Sequence, residues 1–258
     1  MCPCCPPLDR RALLCGLVAG ALAGCSDNAQ TGRRQLAFVP DGQLATMADQ
    51  AWAELLSKTP VSSDAALGQR LASVAEPLAR ASGRKDLTWE FVVFDSPELN
   101  AFVLPNGKVA VFRGMMEFAR DRAELGAVVG HEVAHILARH PAERVSQQLA
   151  TQVGVSVAQL VFGGEDGENA ELVAGVLGLG ATYGVLLPYS RTHELEADRV
   201  GVELMRKAGM EPLGAVRFWE RMIAHHERQG APPEALSTHP ADARRLAHLK
   251  AAVAGLPA

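Results

Sequence analysis

The stretch VVGHEVAHILARH, residues 128–140, brings three histidines and a glutamate close together in the chain. On a helix, His131 and His135 are separated by about 40° around the axis and about 6 Å along it, so both imidazoles point the same way. Two imidazoles at this spacing can bind one tetrahedral metal ion. Glu132 lies about 100° from His131, where a carboxylate can accept a proton from metal-bound water without being a ligand. His140 lies about 140° from His135 on the same helix, which makes it a poor third ligand.

The helix that carries these residues is predicted from its ends and from its composition. Asp121 followed by Glu124 is typical of a helix start, and Pro141 indicates its end. A surface helix with solvated histidines is the alternative interpretation. It is disfavoured because polar groups in an apolar helix need partners, which a metal ion would supply. The neighbours of the polar residues are all apolar: Val128, Val129, Val133, Ala134, Ile136 and Leu137.

A catalytic zinc ion keeps three protein ligands and an open position, so the third ligand must come from another element. The best candidate segment is SRTHELEAD, residues 190–198. Ser190 fits a helix N-cap and Gly209 fits the end of that helix. A generic acidic helix would show much the same pattern. The spacing alone leaves four candidate ligands open: His193, Glu194, Glu196 and Asp198.

These two motifs together resemble the M48 family of zinc metallopeptidases. The family pattern is H-E-x-x-H followed by E-x-x-x-D in a Ser-Arg-x-x-Glu-x-x-Ala-Asp context, and here HEVAH precedes SRTHELEAD. Three other segments share the likeness, which covers roughly residues 31–250: TGRRQL, NAFVLPNGKVAVFRGMM and STHPADARR. Within the family, the chain is most similar to periplasmic lipoproteins.

The resemblance implies a role for each matching residue. His131, His135 and Glu194 would bind one Zn²⁺ per chain, and Glu132 would be the general base. Asp198 would orient a ligand histidine through its other ring nitrogen. The implied reaction is metal-assisted hydrolysis of peptide bonds.

Three further polar residues are interpreted in the light of the same resemblance. His193 and Glu196 are expected to be solvated or locally paired. His239 precedes Pro240 at the entrance of the last predicted helix. From there it could reach the open position of the zinc or donate to the developing oxyanion, so it is a second catalytic candidate. A capping or surface histidine is an equal alternative.

The elements that must position these motifs follow from hydrophobic periodicity. Residues 44–81 show helical spacing in two parts separated by Pro60. Three strands come next, and the Asn106-Gly107 turn joins the last two into a hairpin. Helical patterns follow almost to the end, which predicts an α+β protein. The resemblance implies a zincin-like (gluzincin) fold, mainly helical with a small antiparallel or mixed sheet. The predicted strands are residues 88–94, 100–104 and 108–112.

All five cysteines lie within the first 25 residues. Arg10 and Arg11, the apolar run 12–23 and small residues before Cys25 are typical of a secretory signal. The ending LAGC also resembles a bacterial lipobox, so Cys25 is predicted to be lipidated. The predicted organisation is a signal peptide over 1–24, a polar tether over 25–42 and an M48 peptidase domain over 43–258.

Two uncharged stretches, residues 145–164 and 172–190, are each about as long as a membrane span. Glutamines in the first and glycines in the second favour buried or groove-lining helices over a membrane hairpin, because polar groups in lipid are costly. The net charge of −4 and the absence of a Lys/Arg block exclude a nucleic-acid partner.

The resulting functional hypothesis is a zinc endopeptidase anchored in the periplasm by lipid on Cys25, at the outer membrane as the resemblance implies. Its substrates would be unfolded or misassembled cell-envelope proteins. Two alternatives stay open: a zinc-stabilised, chaperone-like lipoprotein that holds clients with little proteolysis, and a membrane-embedded protease if the uncharged stretches insert. The intact Glu132 disfavours the first alternative, because a purely structural site needs no general base.

Overall fold

The computed structural model describes residues 25–150, 190–229 and 243–257. Within these ranges the strands are β1 (Cys25–Asp27), β2 (Arg34–Leu36), β3 (Glu90–Phe94), β4 (Ala101–Val103) and β5 (Lys108–Phe112). The helices are α1 (Asp41–Lys58), α2 (Ala65–Ala81), α3 (Arg113–Phe118), α4 (Arg122–Leu137), α5 (Arg191–Lys207), α6 (Leu213–Gln229) and α7 (Ala243–Ala254). Residues 140–150 are also helical and are called the 140–150 segment.

A mixed three-stranded sheet lies beside the helices, in the order β3-β5-β4. Strand β5 is central, parallel to β3 and antiparallel to β4. The tight turn between β4 and β5 has Gly107 at φ 87°, a left-handed conformation that glycine adopts without steric cost. The α+β class, the hairpin and the three predicted strands are therefore confirmed, with strand ends shifted by up to two residues.

Both faces of the sheet are buried, which explains why KVAVF lacks a polar alternation. Val109 and Val111 of β5 face the main core, together with residues of α2, α4 and α5. Ala110 and Phe112 face the other way, where Trp52 of α1 covers them. The sheet is thus a middle layer between α1 and the helices that carry the histidines.

The segment expected to be a tether packs against the domain over much of its length. Strands β1 and β2 form a small antiparallel hairpin. Asn28, Gln35 and Val39 are buried, and the amide of Gln35 donates to the carbonyl of Ala138 at 2.7 Å. The polar side chains of this segment can be buried because they are hydrogen-bonded. Residues 28–39 of the predicted tether therefore pack on the domain.

Several predictions concern parts of the chain outside the described residues. These are the signal peptide, the side chain of Cys25, residue His239 and most of the two uncharged stretches. Among the helices that the structure does describe, none is both long enough and apolar enough to cross a membrane.

Candidate metal centre

Helix α4 carries the histidine pair into the interior of the molecule. The side chain of Asp121 caps its N-terminus by accepting a hydrogen bond from the backbone N–H of Glu124 at 2.8 Å, as predicted. His131 and His135, one turn apart, hold their Nε2 atoms 3.0 Å from each other. Glu132 is buried on the same helix, directly after the first histidine. The two imidazoles therefore face one common point.

Helix α5 crosses α4 at very close range. The predicted N-cap, Ser190, accepts a hydrogen bond from the backbone N–H of His193 at 3.2 Å. At the crossing, Gly201 lies against Gly130, and a Cβ added to Gly201 would stand 3.2 Å from the backbone nitrogen of His131. The absence of a side chain at Gly201 thus permits the helix separation that brings α5 to the histidines.

A carboxylate of α5 completes the convergence. Glu194 places Oε2 at 3.3 Å from Nε2 of His131 and Oε1 at 3.5 Å from Nε2 of His135. The ligand atoms of these three buried residues all lie within 4.8 Å of one another. Two imidazole nitrogens and one carboxylate oxygen are a usual donor set of catalytic zinc, with a further position left for water or substrate. These residues therefore fit a zinc ion.

A second buried carboxylate lies one turn further along α5. Nδ1–H of His131 donates to Oδ1 of Asp198 at 2.9 Å. Arg245 of α7 donates to both oxygens of Asp198, from Nε at 2.6 Å and from Nη2 at 2.8 Å. Its Nη1 also forms an ion pair with Glu194 at 2.6 Å. The guanidinium lies 3.9 Å from the ring centroid of Trp219, an arrangement that favours arginine over lysine.

The charges around His131 favour an additional cation. Burial and the positive charge of Arg245 lower the pKa of His131, but the carboxylates of Glu194 and Asp198 outweigh them and raise it to about 9. Burial raises the pKa of Asp198, but Arg245 and His131 outweigh burial and lower this pKa below its ordinary value. Asp198 is therefore an ionised carboxylate. Without a metal ion, the proton on His131 balances part of the negative charge of Glu194 and Asp198. A divalent cation would balance the same charge.

Five further polar residues, of which Arg33 and Glu196 are partly exposed, form a network beside the metal site, here called the His140 cluster. Arg33 of the N-terminal segment makes a bidentate pair with Glu143, with Nη1–Oε1 at 2.8 Å and Nη2–Oε2 at 2.7 Å. It also donates from Nε to Glu196 at 2.7 Å. Nε2 of His140 lies 2.9 Å from Glu196, and Nε2 of His193 lies 2.9 Å from Glu143. The two histidine rings stack with centroids 4.3 Å apart.

This cluster corrects one expectation from the sequence. His193 is buried and Glu196 pairs across 163 positions of the chain, so neither is solvated or locally paired. The reason is that Arg33 arrives from a distant segment to neutralise the carboxylates. Burial lowers the pKa of His140, and this effect outweighs the neighbouring carboxylates, which raise it. The neutral imidazole is therefore favoured.

The structure thus brings together the residues expected as ligands, His131, His135 and Glu194, with Glu132 and Asp198 beside them. His239 lies outside the described residues. Sequence reasoning missed the contributions of Arg245, Arg33, His140 and Glu196. The only signal for the two arginines was their presence in the segments STHPADARR and TGRRQL, which carried the family likeness without an assigned role.

The fold and this site define a zincin-like metalloprotease domain. The family model for peptidase family M48 matches residues 65–253. The chain therefore belongs to peptidase family M48, as its motifs predicted.

Individual relatives agree with this assignment. The chain is 37% identical over 173 residues to mitochondrial metalloendopeptidase OMA1 of Schizosaccharomyces pombe, covering 67% of this chain and 49% of that protein. It is 29% identical over 249 residues to metalloprotease LoiP of Escherichia coli, covering 93% and 95%. It is 26% identical over 241 residues to the beta-barrel assembly-enhancing protease of Escherichia coli, covering 92% and 49%. The chain spans half or less of the length of the OMA1 relatives that it matches.

Proposed function

We propose that this protein is a zinc-dependent endopeptidase that hydrolyses peptide bonds in unfolded or misassembled proteins of the cell envelope. The observation that carries the proposal is the convergence of two imidazole nitrogens and one carboxylate oxygen at a buried point between α4 and α5. His131, His135 and Glu194 are proposed as the zinc ligands. A purely structural site would need no neighbouring base, whereas Glu132 lies on α4 beside the ligands.

Each proposed role follows from the chemistry of amide hydrolysis. Zinc held by these three residues would polarise the scissile carbonyl and lower the pKa of water to about 7. Glu132 is proposed to accept the proton of the attacking water and to pass it to the leaving amine. Asp198 is proposed to hold His131 in the tautomer whose Nε2 carries the lone pair, because its carboxylate accepts the Nδ1–H.

An extended substrate needs a strand edge with which to pair. Among the described strands, β4 pairs only with β5 and packs against α4, which carries the histidines. The other edge, β3, is already met at its end by Val61 and Ser62. We therefore propose β4 as the edge that binds substrate, after its buried residues, each 4–5% exposed, are uncovered. Pairing through backbone hydrogen bonds depends little on side-chain sequence, which suits unfolded clients.

The envelope role and location rest on the relatives and on the N-terminal sequence. LoiP matches nearly the whole chain, and the beta-barrel assembly-enhancing protease is named for the assembly of β-barrels. The signal-like residues 1–24 and the lipobox-like ending at Cys25 support export and lipid anchoring in the periplasm, at the outer membrane. We propose misassembled envelope proteins as the substrate class on these grounds.

The substitution Glu132→Gln tests the proposal. Loss of a general base lowers the rate by about 10²–10⁴-fold, so the variant should leave an unfolded substrate such as reduced casein almost intact. Zinc content should stay at one ion per chain, because Glu132 is not a ligand. The measurements are metal analysis and the rate of substrate fragmentation. His131→Ala is the matched variant and should lose both zinc and cleavage.

Cleavage by Glu132→Gln at the rate of the unaltered protein would refute the assigned mechanism. Stoichiometric zinc without any cleavage by the unaltered protein would instead favour the client-binding alternative.

A further inference from the structure

His140 is fully buried, and its Nδ1 atom lies 2.9 Å from Nδ1 of His135. This contact arises because α4 does not continue to His140. Helix α4 ends at Leu137, Arg139 adopts a left-handed conformation with φ 54°, and the 140–150 segment begins at once. The turn brings His140 back onto the face of α4 that carries His135, a position that a continuous helix would not allow.

The contacts of His140 determine which ring nitrogen carries its proton. Its Nε2 lies 2.9 Å from a carboxylate oxygen of Glu196, and a carboxylate can only accept. Nε2–H must therefore be the donor. The 2.9 Å contact between the two Nδ1 atoms needs one donor and one acceptor, and a neutral imidazole has one N–H, so Nδ1 of His140 carries a lone pair and accepts a hydrogen bond from Nδ1–H of His135. The lone pair of His135 is then on Nε2, which is the atom that faces His131 and Glu194.

Arg33 holds Glu196 in the orientation that this proton arrangement needs. Its Nε donates to Oε1 at 2.7 Å and its Nη2 to Oε2 at 3.1 Å. The same guanidinium is fixed by its bidentate pair with Glu143. Charge-assisted bonds of this kind keep the carboxylate ionised and directed at His140.

We propose that His140 is a positioning residue for the metal site, fixing the tautomer and ring orientation of His135 through the chain Glu196–His140–His135. The two ligand histidines are thus supported differently. His131 donates directly to the carboxylate of Asp198, whereas His135 reaches the carboxylate of Glu196 through the imidazole of His140. This inference rests on the proposed role of His135 as a zinc ligand.

The test compares two substitutions of equal shape at His140 by zinc affinity, measured by competition with a chromogenic chelator. His140→Leu removes the acceptor and should weaken zinc binding by about 10–100-fold, the usual effect of losing a partner of a ligand histidine. His140→Asn places Oδ1 where Nδ1 was, so it can still accept from His135 and should retain most of the affinity. Both variants lose the stacking on His193 and the bond to Glu196.

A spectroscopic measurement separates positioning from a general packing role. In the zinc-loaded protein, the Nδ1–H proton of His135 should give a resonance that exchanges slowly with water. The resonance should persist in His140→Asn and be lost in His140→Leu. Phe112→Leu, in the apolar cluster on the far side of the sheet, is the control: it should lower the free energy of unfolding without changing zinc affinity or this resonance.

Equal zinc affinities of His140→Leu and His140→Asn would overturn the inference, as would a His140→Leu variant that binds zinc like the unaltered protein. If His140→Leu does not fold, His140→Gln replaces it, because its amide can reach Glu196 but does not place an acceptor where Nδ1 of His140 was. Failure of the unaltered protein to bind zinc would overturn the proposed metal site together with this inference. Normal zinc binding by all His140 variants would overturn this inference alone.

Discussion

At the scale of the residue, Arg245 contacts several groups of the metal site at once, although no motif in the sequence assigned it a role. Its guanidinium bonds both oxygens of Asp198, pairs with Glu194 and stacks on Trp219. It is buried, so its removal leaves a buried carboxylate without its main counter-charge. Burial lowers the pKa of Arg245, but Asp198, Glu194 and Glu132 outweigh it, so the guanidinium is charged.

We expect Arg245→Met to lower the free energy of unfolding by about 3–5 kcal/mol, measured by urea denaturation in the presence of a chelator. The matched control is Arg221→Met, since Arg221 pairs with Glu124 and lies over Phe118 in a similar way but away from the histidines. Only Arg245→Met should also weaken zinc binding. A loss of less than about 1 kcal/mol would show that Asp198 does not depend on this arginine.

At the scale of the element, the site is a crossing of two helices whose separation is set by glycine. A Cβ at Gly201 would approach the backbone nitrogen of His131 to 3.2 Å, a tight contact with an atom that its own helix holds in place. A side chain here would push α5 away from α4 by a few tenths of an ångström. Glu194 and Asp198 would move with α5, away from the histidines.

We expect Gly201→Ala to reduce kcat/KM by about tenfold, because displacements approaching 1 Å can cost about 10²-fold in rate. Gly68→Ala is the control. Gly68 lies in α2 with nothing near its missing side chain, so alanine there should stabilise the helix by up to about 1 kcal/mol and leave activity unchanged. Equal activities of the two variants would contradict a role for the close crossing.

At the scale of the whole molecule, Arg33 joins three distant parts of the chain. It bonds Glu143 in the 140–150 segment and Glu196 in α5, while Gln35 from the same N-terminal segment bonds the carbonyl of Ala138. The N-terminal segment therefore supports the corner from which His140 approaches the metal site. Burial raises the pKa of Glu143, but the hydrogen bonds from Arg33 and His193 outweigh it and lower the pKa to about 2.

A lowered carboxylate pKa stabilises the fold most above its ordinary value of 4.5, and the contribution disappears as the pH falls from 4.5 toward 2. We therefore expect Glu143→Gln to be less stable than the unaltered protein by a constant amount above about pH 5. The difference should shrink below pH 4.5. Urea unfolding of metal-free protein across this range measures it, and a difference independent of pH would contradict the assigned ion pair.

Sequence reasoning predicted the elements closely and the site incompletely. The helix caps at Asp121 and Ser190 and the turn at Gly107 are local features, so a few neighbouring residues suffice to recognise them. The position of His140 beside His135 was not predicted, and the reason is also local. It depends on the left-handed conformation of Arg139, which is uncommon for a residue other than glycine. The parallel pairing of β3 with β5 could not be read from the strands, because strand periodicity does not encode the choice of partner.

The sequence by itself determined that two imidazoles lie on one face of a helix, because helical spacing alone fixes their relative direction. It left four candidates for the third ligand, and the family resemblance pointed to Glu194. The resemblance also pointed to Asp198 as the partner of a ligand histidine. Only the tertiary structure decided that this histidine is His131, that Arg245 stands behind Asp198, and that His135 is supported by Glu196 through His140. The physical reason is that these contacts depend on how separate elements cross and turn.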